Sequence, residues 1–125
     1  MVEKRKRLKV SKGRNSGTVS EHVHQVSFVN WFRREHPGVL IFAIPNGGAR
    51  NCVTGKKLKD EGVVPGIPDL YIPAAQIWVE MKTEKGKASP KQKDWLNYLY
   101  SCGYSVHVCQ GFEQAKGVIE NHIRK

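Results

Sequence analysis

Apolar residues recur every three or four positions from Thr18 to Glu35, at Val19, Val23, Val26, Val29 and Phe32, and this spacing predicts a helix. Pro37-Gly38 ends it. "VLIFAIP" (Val39–Pro45) reads as a short buried strand, and the glycine-rich "NGGAR" as a loop. "NCVTGKKLKDEG" is a short basic helix or an irregular segment closed by Gly62. "IPDLYIP" and "QIWVEMKT" are two strands joined by a turn at Pro73-Ala74-Ala75. Ser89-Pro90 opens a second long helix, with Ser as N-cap, an apolar face of Trp95, Leu96, Leu99 and Cys102, and Gly103 as its stop. "YSVHVCQ" alternates as a strand, and "FEQAKGVIENHIRK" closes the chain as a helix with Phe112, Ala115, Ile119 and His122 or Ile123 inward. The order α-β-β-β-α-β-α predicts an α/β fold, a mixed sheet flanked by helices.

Strand periodicity exposes an anomaly. On "QIWVEMK", Ile77, Val79 and Met81 share one face, while Trp78, Glu80 and Lys82 share the other. The second face therefore carries a carboxylate and an ammonium side by side. Asp69 lies on the preceding strand, where a tight turn sets it next to Glu80. Two carboxylates meeting at a sheet edge repel, and burial makes that worse. A divalent cation relieves the cost, and hard oxygen donors suit Mg²⁺ or Mn²⁺. The competing reading is a surface Glu–Lys pair and a Pro-Asp turn.

Charge strengthens the first reading. The 125 residues carry a net charge of +10, and residues 1–14 hold seven bases (Lys4, Arg5, Lys6, Arg7, Lys9, Lys12, Arg14) against Glu3. Residues 1–17 show no periodicity and read as a flexible basic arm, leaving 18–125 as one domain. A basic chain without a membrane signal most often meets a polyanion, usually nucleic acid. No apolar run approaches the ~18 residues of a membrane span, and no apolar stretch follows the basic start as in a signal peptide. Cys52, Cys102 and Cys109 lack paired metal spacing and read as reduced thiols of an intracellular protein. The five histidines form no zinc set, since His22 and His24 cannot share a helical face and His107 and His122 lie on separate elements. Trp31, Trp78 and Trp95 read as core residues.

Pro68-Asp69 followed by Glu80-Met81-Lys82 resembles the PD-(D/E)xK nuclease signature. With "SEHVHQ", "IPNGGAR", "GIPDLYI" and "WVEMKTEKGKASPKQKDWL" in this order, the chain beyond the arm is similar to the VRR-NUC group, the virus-type replication and repair nucleases. The resemblance implies a restriction-endonuclease-like core. Asp69, Glu80 and the backbone carbonyl of Met81 would hold Mg²⁺ or Mn²⁺, with Lys82 as the catalytic lysine. Glu21 would contribute an acidic group to the metal site, and Gln92 would orient groups near the scissile phosphate.

Two of these residues also fit a bland role. Thr18-x-x-Glu21 and Ser89-x-x-Gln92 are both capping-box patterns. Asn46-Gly47-Gly48 also fits a hairpin turn, but no alternating strand follows it, and exposed amides there with Arg50 after them suit a phosphate. Lys56, Lys57, Lys59, Lys85, Lys87, Lys91 and Lys93 are candidate contacts to a nucleic-acid backbone. The expectation is a metal-dependent DNA endonuclease, selective for branched DNA such as four-way (Holliday) junctions or flaps. It would act in repair-type processing, in a bacterial or phage-encoded setting. Its rivals are a non-catalytic basic binding module and a nuclease acting on plain duplex DNA or RNA. One chain carries one triplet, so a homodimer is expected. Its surface would be the first helix through Trp31 and Phe32, or the "NCVTGKKLKDEG" segment.

Overall fold

A computed structural model describes residues 18–45 and 52–123. The basic arm and Asn46, Gly47, Gly48 and Arg50 lie outside the described residues, as does the side chain of Ile123. The elements are α1 (Glu21–Glu35), β1 (Phe42–Ala43), α2 (Cys52–Asp60), β2 (Leu70–Ile72), β3 (Ile77–Lys82), α3 (Pro90–Ser101), β4 (Ser105–Gln110) and α4 (Phe112–Ile123). The basic segment before Gly62 is thus helical, which adds α2 to the expected order. The strands form one mixed sheet, β1-β2-β3-β4. β1–β2 and β2–β3 are antiparallel, and β3–β4 is parallel. The parallel pair needs a crossover, and α3 provides it.

The inner face of β3 is as its alternation predicts: Ile77, Val79 and Met81 are fully buried. They pack with Phe28, Phe32, Leu70, Ile72 and Ile119 in one core under α1 and α4. The turn between β2 and β3 runs from Pro73 to Gln76, where Gln76 takes a left-handed φ of 55° and donates its N–H to the Pro73 carbonyl at 3.1 Å.

Several details differ from the pattern reading. α1 begins at Glu21 rather than Thr18, because Ser20 is the N-cap and its Oγ accepts from the Val23 N–H at 3.1 Å. The buried stripe of α1 is His24, Phe28, Trp31 and Phe32, while Val19, Val23 and Val26 are exposed. The helix offers two apolar faces, and aromatic rings remove far more surface from water than valines do. The burial of Trp31 and Phe32 also removes them as a dimer surface. β1 is only two residues long, with Ile41 buried but Leu40 and Phe42 exposed. As an edge strand with one neighbour, it has no second partner to enclose it. Cys102 is exposed because it stands at the C-cap of α3, past the last packed turn. His122 is exposed beyond the core's last residue, Ile119, where an imidazole keeps its water. Trp78 and Trp95 are only half buried.

The corrected stripe can be checked directly. Phe28→Ala is expected to cost about 3–5 kcal/mol of stability in urea unfolding. Val23→Ser, on the exposed face, is expected to change it by about 0.5 kcal/mol or less.

Candidate metal centre

β2 and β3 pair Ile72 with Ile77, Tyr71 with Trp78 and Leu70 with Val79. One step further along the same register, Asp69 stands opposite Glu80. Asp69 just precedes β2, following the buried Pro68, and the Ile44 N–H donates to its backbone carbonyl at 2.8 Å. Its side chain reaches across the gap, and Oδ2 accepts from the Met81 N–H at 2.8 Å. The carboxylate therefore continues the ladder where strand pairing has stopped.

Glu80 is 2% exposed. Its Oε2 accepts from Gln92 Nε2 at 2.9 Å and lies 3.2 Å from Lys82 Nζ. Its Oε1 is buried and has no hydrogen-bond partner among the described residues. Burial pushes the carboxyl up to about 7, the negative charge of Asp69 adds to the shift and that of Glu21 adds a little more, while Lys82 pulls it back. Lys82 is itself 9% exposed. The loop after β3 folds against it: a Cβ at Gly86 would come within 3.1 Å of Lys82 Cβ, and Gln110 Nε2 donates to the Gly86 carbonyl.

Gln92 serves two purposes at once. Its Oε1 accepts from the Ser89 N–H at 2.8 Å and its own N–H donates to Ser89 Oγ at 3.1 Å, which completes the capping box of α3. The same amide's Nε2 then holds Glu80. Glu21 is not part of a cap with Thr18, since Ser20 takes that place. It is exposed in the first turn of α1, where its charge still acts on Glu80. The loop that delivers Asp69 is pressed onto α3 at Gly66, whose φ is +90° and where a Cβ would meet Lys91 Cγ and Trp95 Cδ1 at 3.1 Å. Only glycine meets both conditions.

The structure thus brings together Asp69, Glu80, Lys82 and Gln92, with Glu21 near by. Lys85, Lys87, Lys91 and Lys93 are exposed on the loop after β3 and the first turn of α3. Lys56, Lys57 and Lys59 are exposed on α2, where Lys56 pairs with Asp60 at 3.0 Å. His24 was missed by pattern reasoning. It is buried and its Nδ1 accepts from the Phe112 N–H at 2.9 Å, so it ties α1 to the start of α4, while its Nε2 lies 3.7 Å from Glu84 Oε2 on the loop after Lys82. The signal was its place four residues before Phe28, on the aromatic stripe.

The described residues contain no cluster of three or more His, Cys, Asp or Glu that could hold a metal. Two carboxylates, a backbone carbonyl and water are nonetheless a donor set of the kind Mg²⁺ accepts, because it retains several waters. The unpartnered Glu80 Oε1, buried beside a second carboxylate, fits a cation.

The fold, a mixed four-stranded sheet flanked by helices, is that of a nuclease-like α/β domain. The family model of the VRR-NUC domain matches residues 17–113, and the chain belongs to that family. A solved structure of a VRR_NUC domain protein is 26% identical and superposes with a TM-score of 0.71, covering 85% of this chain and 89% of that one. Curated protein sequences gave no match. No helix among the described residues is long and apolar enough to cross a membrane.

Glu80 makes stability depend on pH. Its folded value of about 7 lies above the ordinary 4.5, so between these values the folded chain keeps a proton that the unfolded chain has released. That contribution to stability is present below about pH 4.5 and is lost as pH rises through 7. The half-buried imidazole of His107, whose pKa is lowered by desolvation, acts in the opposite sense below 6.5. Comparison with Glu80→Gln isolates the carboxyl. In thermal unfolding with EDTA, the wild type should lose stability relative to Glu80→Gln between pH 5 and 8. Parallel curves would mean that Glu80 ionises normally.

Proposed function

We propose that this protein is a metal-dependent endonuclease that hydrolyses DNA phosphodiester bonds, structure-selective for branched DNA such as four-way junctions or flaps. One observation carries the reading: a buried glutamate oxygen, Glu80 Oε1, has no hydrogen-bond partner among the described residues and stands beside a second carboxylate and a buried lysine. A module that only bound DNA would gain nothing from two carboxylates near phosphates.

Asp69, Glu80 and the Met81 carbonyl would hold Mg²⁺ or Mn²⁺. When bound, such an ion lowers the pKa of water and offsets charge on the phosphate and the leaving oxygen. The chain's own residues prepare the rest. Gln92 fixes Oε2 of Glu80, so that Oε1 is the oxygen left for a ligand. Lys82, held at 3.2 Å from Oε2, presents an ammonium that orients a water and stabilises charge developing on the phosphoryl oxygens. Glu21 adds negative potential from α1, which favours a cation. Asn46, Gly47, Gly48, Arg50 and the exposed lysines of α2, the loop after β3 and α3 would contact phosphates, positioning the strand without reading its sequence.

Paired incision needs two sites, and we propose a homodimer. With Trp31 and Phe32 buried, α1 still offers Val23 and Val26, beside a groove of about 400 Å³ lined by Gln25, Val29 and Arg33. α2 is the other surface. The test is a panel of labelled duplex, flap, splayed-arm and four-way-junction DNAs with Mg²⁺, Mn²⁺ or EDTA, together with light scattering at micromolar protein. The expected result is metal-dependent cutting, fastest on branched substrates, by a particle of twice the chain mass. Equal rates on plain duplex would overturn the selectivity, and a monomer would overturn the dimer.

A further inference from the structure

Beyond the core, a second set of aromatic rings lies on the outer face of the sheet. Phe42, Tyr71 and Trp78 are cross-strand neighbours in register, on the same side of the sheet as Glu80 and Lys82. Ring centroids are 6.0 Å apart from Phe42 to Tyr71 and 4.4 Å from Tyr71 to Trp78. Tyr104 stands edge-on to both Tyr71 and Trp78, at 5.8 and 6.0 Å. Tyr104 follows α3, its N–H donating to the Leu99 carbonyl at 3.2 Å, and the preceding residue of the helix, Tyr98, meets Trp95 edge-on at 5.7 Å. The row begins two residues along the strands from the Asp69–Glu80 pair, a distance of roughly 7 Å.

Three features set this row apart from ordinary packing. Its ends are open: Tyr98 is 56% exposed and Phe42 40%. The Trp78 indole N–H is buried without an acceptor among the described residues, whereas a packed indole normally finds one. Positive charge accompanies the rings, since Lys91, Trp95 and Tyr98 share one face of α3 at i, i+4 and i+7, and Lys85 and Lys87 are exposed on the neighbouring loop. Exposed rings beside lysines match a single nucleic-acid strand, with phosphates on the cations and unpaired bases on the rings. A continuous duplex keeps its base faces stacked inside and offers the rings nothing to stack on.

We infer that the outer aromatic row, entered at Tyr98 and ending at Phe42, is a stacking platform for unpaired bases of the strand held at the Asp69–Glu80 site. The inference rests on the nuclease reading and deepens it. Branched DNA is distinguished from plain duplex because only a branch supplies unstacked bases next to the scissile phosphate.

The test is binding without cleavage. Unlabelled oligothymidylate and a duplex of the same length are titrated in EDTA, following tryptophan fluorescence. Trp31 is buried in the core, so quenching reports Trp78 and Trp95. The single strand should quench and the duplex should not. Tyr98→Ala and Phe42→Ala should each weaken single-strand binding about tenfold, with duplex affinity unchanged. Tyr98→Phe, which keeps the ring, should bind as the wild type does. Three results would overturn the platform: alanine variants that bind single strand normally, equal losses on single strand and duplex, or unchanged affinity with a halved particle mass. The last would show that a second copy covers the row. A wild type that binds neither nucleic acid would overturn the nuclease reading itself.

Discussion

Asp69→Asn and Glu80→Gln will each lower Mg²⁺-supported cleavage by roughly 10³-fold, while affinity for DNA in EDTA stays within about twofold. The magnitude follows from what a bound cation contributes, several kcal/mol of transition-state stabilisation, with each 1.36 kcal/mol worth a factor of ten. Both substitutions conserve shape. In Asp69→Asn the amide can keep its carbonyl oxygen on the Met81 N–H, and in Glu80→Gln the side chain can keep one oxygen toward Gln92 Nε2. What changes is the charge available to a cation. Lys82→Ala should cost about 10²–10³ in turnover, the range found when one donor to a developing anion is removed. It should leave metal affinity in place, since Lys82 contributes no ligand. Single-turnover cleavage of a labelled four-way junction measures all three. Wild-type rates in any of the carboxylate variants would show that the proposed centre is misplaced.

Removing residues 1–14 will produce the second large effect, on affinity rather than turnover. This segment holds seven of the chain's 21 Lys and Arg residues, and it precedes the family match, which begins at residue 17. Each phosphate that is no longer neutralised by a basic side chain reduces the slope of log K against log salt by roughly 0.9 on duplex DNA. With four or five of the bases engaged, the slope should fall by about 4 and affinity at low salt by two orders of magnitude or more. Fluorescence anisotropy across a salt series gives both numbers. An unchanged slope would show that the arm does not touch DNA.

The layout of the candidate site is more legible in the chain than the packing around it. Three charges inside two apolar strands stand out against a period of two, and the length of the turn at Pro73 already sets Asp69 opposite Glu80. Gln92 was ambiguous as a pattern because capping α3 and holding Glu80 are both its tasks, through different atoms of one amide. Glu21 is ambiguous as a pattern because Thr18 and Ser20 are both good N-caps, and spacing alone does not choose between them; with Ser20 as the cap, the capping alternative for Glu21 falls away. The burial of α1 was misread for a related reason: valines and aromatics lie on different faces of the same helix, and only the competition for the core decides between them. Trp78 and Trp95 read as core because a tryptophan in an apolar strand or helix usually is. Whether the outer sheet face is covered depends on where the crossover helix lands, and no local pattern encodes that.

The proposed nuclease stands or falls on whether Asp69 and Glu80 hold a divalent cation. Crystals of the wild type and of Glu80→Gln soaked in Mn²⁺, with anomalous scattering recorded at the manganese edge, test it most directly. The expected result is an anomalous peak within bonding distance of both the Asp69 and Glu80 carboxylates in the wild type, lost or greatly weakened in Glu80→Gln. No peak at these carboxylates in the wild type, or an equal peak in the variant, would contradict it.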